Sequence, residues 1–107
     1  MSPMYRNVTK GWAISAPGAN TDALPSDVTW PSDRACRISI QVATSTVVNL
    51  MVTRGATEKA LGLNSNTALT AGAVHTFDVY GMEKDDSVQV QVETDSAIDM
   101  VSLEEIW

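Results

Sequence analysis

The feature that most restricts this chain is a short run of strict alternation, "SVQVQVE", Ser87–Glu93. Val88, Val90 and Val92 fall on one side of it, and Gln89, Gln91 and Glu93 on the other. That is the period of a half-buried β-strand. The same period recurs upstream. "RISIQVA" sets Ile38, Ile40 and Val42 on one face. "TVVNLMVTR" sets Val48, Leu50 and Val52 together, with Val47 and Met51 opposite. "ALGLN" groups Leu61 with Leu63, and "VHTFDVY" groups His75, Phe77 and Val79. In "AIDMVSLEEIW" the phase slips: Ile98 and Met100 share one face, Val101 and Leu103 the other. An extra residue restores such a phase, so a β-bulge is expected near Met100–Val101. No window holds helical spacing over ten residues, and the best candidate, "ATEKALGL", is too short to stand alone.

The links between these runs, "RGATEKA", "NSNTALTAGA", "GMEKDDS" and "TDSA", are rich in Gly, Asn, Asp and Ser, which accept turn geometries. Short strands spaced by such turns predict an all-β fold, a sandwich or a barrel. His75–Val79 and Val88–Val92 read as neighbouring strands of one hairpin, with the acids between and after them as solvated hairpin ends. Residues 1–36 differ. "NVTKGWAISA" has one possible strand, with Val8, Trp12 and Ile14 as its apolar positions. Pro17, Gly18, Pro25 and Pro31 then interrupt any regular element. The expected organisation is an extended N-terminal arm, 1–36, and one β-sandwich domain, 37–107. At 107 residues the chain has the size of a single small domain.

Charge divides unevenly. Residues 1–54 carry five cations against three carboxylates, and residues 55–107 carry two against ten, for a net charge of −6. An acidic half of this kind repels phosphate backbones and anionic bilayers, so neither nucleic acid nor membrane is expected as a partner. A basic partner surface suits it better. "MSPMYRNVTKGW" has no apolar core of a signal peptide, and Cys36 is the only cysteine, both of which fit synthesis in a cytoplasm.

The chemistry-bearing residues are sparse. His75 is the only histidine, in phase with Phe77 on a strand, and Cys36 lies 39 positions away at a strand start. Both read as structural side chains, and no catalytic residue is expected. One Cys and one His fall short of a zinc site. "EKDDS" and "ETDSAID" hold carboxylates without the ligand order of a calcium loop. A calcium ion bridging the 83–86 and 95–99 turns is the one metal arrangement the spacing leaves open, below the reading of solvated acids. No cofactor motif is present. Tyr5, Trp12, Trp30 and Trp107 all lie outside the regular strands. They either cap the core or anchor a partner interface, where such residues are enriched.

"LNSNTALTAG", "HTFDVY", "DSVQVQV" and "IDMVSLEEI", across roughly residues 46–106, resemble small β-sandwich proteins that decorate the capsids of tailed viruses. The resemblance is one of strands and turns. It implies a jelly-roll-like, non-enzymatic virion protein, a decoration or cement protein, made in the host cytoplasm and seated on the capsid surface. Its implied partners are the major capsid protein and itself, as a homotrimer, with contacts from an N-terminal arm. The other readings are a tail, neck or fibre component of the same fold, and a carbohydrate-binding sandwich stacking sugars on Trp12, Trp30 or Trp107.

Overall fold

The computed structural model describes residues 6–14, by their backbone, and residues 18–106. They form eight strands: β1 Arg6–Ile14, β2 Val28–Thr29, β3 Ala35–Val42, β4 Val48–Arg54, β5 Thr57–Gly62, β6 Val74–Val79, β7 Ser87–Val92 and β8 Ile98–Ile106. One four-stranded sheet has the order β1-β8-β3-β6, and the other β2-β7-β4-β5. Every pairing is antiparallel. Two such sheets, joined by chain crossings rather than successive hairpins, make an eight-stranded jelly roll, as expected.

The alternation is the cause of the core. Ile38, Ile40 and Val42 on β3, with Leu103 beside them on β8, face Val48 and Leu50 on β4 and Val88, Val90 and Val92 on β7, and all are fully buried. The phase slip in β8 is repaired by a bulge, one position earlier than expected. Gln41 pairs with Met100 and Val42 with Ile98, so Asp99 is the extra residue opposite β3. Ile98 and Val101 are thereby both turned inward. A second irregularity lies in β1, at Val8, between Asn7 and Thr9.

Three expectations are corrected. First, the described part of the 1–36 segment is not an arm separate from the sandwich. β1 pairs with β8 from Arg6↔Glu105 to Ile14↔Ile98, completing the first sheet. Residues 18–30 run beside the free edge of β7, with Asn20 N–H bonded to Val92 O (2.7 Å) and Ala23 N–H to Val90 O (2.8 Å). Ala23, Leu24 and Trp30 enter the core. Prolines break the regular hydrogen bonding, so the burial has no period to read.

Second, β6 and β7 are not a hairpin. β6 pairs with β3 and β7 with β2 and β4, so residues 80–86 cross from one sheet to the other. Met82 is buried beneath that crossing, 4% exposed. Third, the turn after β4 is shorter than "RGATEKA". Gly55 and Ala56 alone connect Arg54 to Thr57. Gly55 has φ +61, the left-handed value that a two-residue hairpin demands and glycine supplies without strain. After β5, Asn64, Ser65 and Asn66 all take positive φ and make a left-handed turn.

Candidate functional site

The expected site residues disperse. Tyr5 and Trp107 lie outside the described residues. Trp12 is on β1, paired with Met100 of β8, and its side chain also lies outside them. Trp30 is fully buried, and its indole N–H donates to Arg34 O at 2.8 Å. Its backbone is fixed on both sides, N–H to Asp86 O and O from Asp85 N–H, each 2.7 Å. Trp30 is thus a core residue and not an interface anchor, because the 18–30 segment folds it under the sheets.

Cys36 and His75 do not meet. Cys36 lies opposite Val79 and Ile40 opposite His75, four residues along the same strand, or roughly 13 Å. Burial, with Asp78 adding to it, pushes the Cys36 thiol up to about 12. His75 stacks on Phe77, ring centroids 6.3 Å apart, and its Nε2 lies 3.1 Å from Thr70 O. Among the described residues, no three His, Cys, Asp or Glu side chains converge on a metal position. The 83–86 and 95–99 turns lie at opposite ends of β7, about 20 Å apart by its six residues, so one cation cannot bridge them. Asp95 Oδ1 instead accepts from Ala19 N–H at 2.7 Å.

One of the turn acids is not solvated at all. Asp86 is 1% exposed and accepts three hydrogen bonds: from Arg54 Nε at 2.8 Å, from Arg54 Nη2 at 2.7 Å and from Glu83 N–H at 2.8 Å. Arg54 Nη1 also meets Glu83 at 2.7 Å, and Arg54 Nη2 donates to Gly81 O at 2.9 Å. The Arg54 hydrogen bonds hold the Asp86 carboxyl below the usual carboxylate range. This clamp fastens the 80–86 crossing to the end of β4.

The clamp shapes one wall of a groove. The two flanks of the sandwich are unlike. On one, β1 and β2 are the terminal strands and the 18–30 segment bonds to the edge of β7; on the other, β5 and β6 are the terminal strands. Between β5 and the Tyr80–Met82 crossing lies an open groove of about 470 Å³. Val52, Leu61 and Met82 form its apolar floor, Tyr80 its wall, and Lys59 and Arg54 its cations. No carboxylate lines it among the described residues. Tyr80 is 73% exposed, and Val74 on β6, 56%. Lys59, unlike Arg54, makes no ion pair or hydrogen bond among the described residues.

The lining is of the kind that holds an apolar segment. It offers an apolar strip, an aromatic ring and an unmatched ammonium, with no nucleophile beside a base. Sequence reasoning missed it because its residues come from β4, β5 and the crossing. One signal was available: Lys59 shares the inward phase of Leu61, a cation where the pattern asks for an apolar residue.

No family model matches the chain, and no curated protein matches it in sequence. A solved structure has the same fold: the C-terminal domain of A223, a structural protein from sulfolobus turreted icosahedral virus. The TM-score is 0.58 at 16% sequence identity, covering 95% of this chain and 98% of that one. At that identity the likeness is one of fold, and it extends over nearly the full length of both.

Proposed function

We propose that this chain is a non-enzymatic structural protein of a virion, a decoration protein that binds the outer surface of an assembled capsid and stabilises it, acting as a homotrimer. The observation that carries the reading is the full-length jelly roll with an open apolar flank, shared as a fold with a domain of a viral structural protein. Fold alone does not give function. The flank adds to it, because an exposed tyrosine and valine beside two terminal strands give a surface for another protein rather than for a small substrate. The acidic net charge keeps free copies apart until a complementary surface is met. The carbohydrate reading loses one of its three stacking positions with Trp30 buried.

The test is direct. Purified protein is added to capsids that lack it, and the shells are sedimented and then heated. Binding at a copy number that follows the capsid lattice, with a higher disruption temperature and a trimeric mass in solution, is the expected result. A monomer that stays in the supernatant refutes the reading, and recovery with tails instead of shells moves the protein to another part of the particle.

A further inference from the structure

We infer that the free edge of β5, together with the groove beside it, accepts an extended peptide strand whose groove-facing side chains are apolar with one carboxylate among them. The inference does not depend on the virion reading, because it rests on the edge and the groove alone.

β5 ends its sheet. Thr57–Gly62 pairs with β4 on one side, and no other described backbone group bonds to it. Antiparallel strands turn alternate N–H and C=O groups to opposite sides, so part of β5's backbone faces outward, ready for a further strand. The edge is about 20 Å long, six residues, between the Gly55–Ala56 turn and the left-handed Asn64–Asn66 turn. A strand laid there places every second side chain over the groove floor of Val52, Leu61 and Met82, against Tyr80.

Lys59 decides which strand. It lies opposite Val52 on β4, in the inward phase, with Leu61 the next residue of that phase. An inward charge on a terminal strand guards against indiscriminate edge pairing, since covering it strands an ammonium away from water. It also disfavours a second copy of this chain. Two β5 edges paired about a two-fold axis bring their Lys59 residues opposite or diagonal to each other, within reach of mutual repulsion. A carboxylate on the incoming strand reverses the sign. Directly opposite residues have Cβ atoms about 4.5–5.5 Å apart, ion-pair distance for a glutamate and a lysine. Among the described residues, the groove lining holds no carboxylate to compete. The same side chain that repels a like edge therefore selects an acidic one.

The experiment uses the full chain, isotopically labelled, and two blocked heptapeptides. One reads threonine–valine–threonine–glutamate–threonine–valine–threonine; the other has lysine at its centre. The glutamate peptide is expected to shift and protect the amides of Thr57–Gly62, with side-chain shifts at Tyr80 and Met82, and to bind about tenfold more tightly than the lysine peptide. Lys59→Glu, at an exposed position without a partner, is expected to invert that order while leaving the rest of the spectrum in place. Equal affinity for the two peptides, shifts away from β5, or no inversion in the variant overturns the proposal. So does sedimentation showing β5-mediated self-association that Lys59→Glu leaves unchanged.

Discussion

Replacing Asp86 by asparagine tests whether the clamp is what closes this end of the sandwich. The carboxylate is buried and accepts three hydrogen bonds, two of them from Arg54. Asparagine keeps the shape but has one acceptor. Turned one way, its NH₂ meets Arg54 Nε; turned the other, it meets Arg54 Nη2 and the Glu83 N–H. At least one bond becomes donor against donor, and the rest lose their charge assistance. Hydrogen bonds to charged groups contribute about 1.5–3 kcal/mol each. The Arg54 side chain is half-exposed, so water recovers part of the loss. The expected cost is about 2–3 kcal/mol, lowering Tm by about 10–15 °C in a domain of this size.

The cost should also depend on pH. The folded Asp86 carboxyl lies below its ordinary value, chiefly through the Arg54 hydrogen bond. The unfolded chain therefore takes up the proton first as pH falls. The stabilisation is complete above about pH 4, the unfolded carboxyl range, and disappears as pH drops through the folded value. Urea unfolding followed by far-UV circular dichroism at pH 7 and pH 3 measures both effects. The gap between wild type and Asp86→Asn should narrow at pH 3. A penalty under about 0.5 kcal/mol at pH 7, or one undiminished at pH 3, refutes the clamp. Asp85→Asn, at the exposed neighbour with φ +75, is the control and should be neutral, because asparagine tolerates that conformation.

Three further outcomes follow from the packing. Deleting residues 1–30 should unfold the domain, since it removes β1 and the buried Trp30; Trp30→Ala alone should cost about 3–5 kcal/mol in chemical denaturation, and a cooperative fold in the deletion would show the segment to be dispensable. Val90→Asp should abolish folding by burying a charge, whereas Gln91→Glu should cost about 0.5 kcal/mol, because Gln91 Nε2 donates to Asp22 at 3.0 Å and a carboxylate there meets another; equal effects in thermal melts would overturn the facing of β7. Cys36 should react with a thiol reagent only at the rate of unfolding, its thiol being buried and pushed up to about 12; fast labelling of the native protein would contradict that burial.

The strands were legible where two faces differ sharply. Ile38, Ile40 and Val42, or Val88, Val90 and Val92, can only be one buried face of a pleated strand, and the slip at Met100–Val101 announced the bulge at Asp99 to within a residue. Which sheet each strand joins was not legible. Both sheets bury the same kind of face against one core, so β6 and β7 looked like hairpin partners although their link crosses the sandwich. The 18–30 segment was opaque for another reason. Ala23, Leu24 and Trp30 are buried by an irregular backbone that carries no period. Of the candidate site, little could be read. Asp86 and Asp85 are identical in sequence and opposite in environment, and only the position of Arg54, thirty-two residues away, separates them.

The pairing of β1 with β8 has a consequence in time rather than space. The first described strand of the chain has its partner in the last, and β2 likewise waits for β7. Among the described strands, only β4 and β5 are joined by a hairpin. On a ribosome adding roughly 5–20 residues per second, the nascent chain spends several seconds with β1 and β2 unpaired. Topologies so dominated by distant contacts fold in milliseconds to seconds once complete. Folding therefore cannot finish before β8 has been made, and the β4–β5 hairpin is the first pairing within reach of the growing chain. During that wait β1 is exposed to every other unfinished copy on the same message.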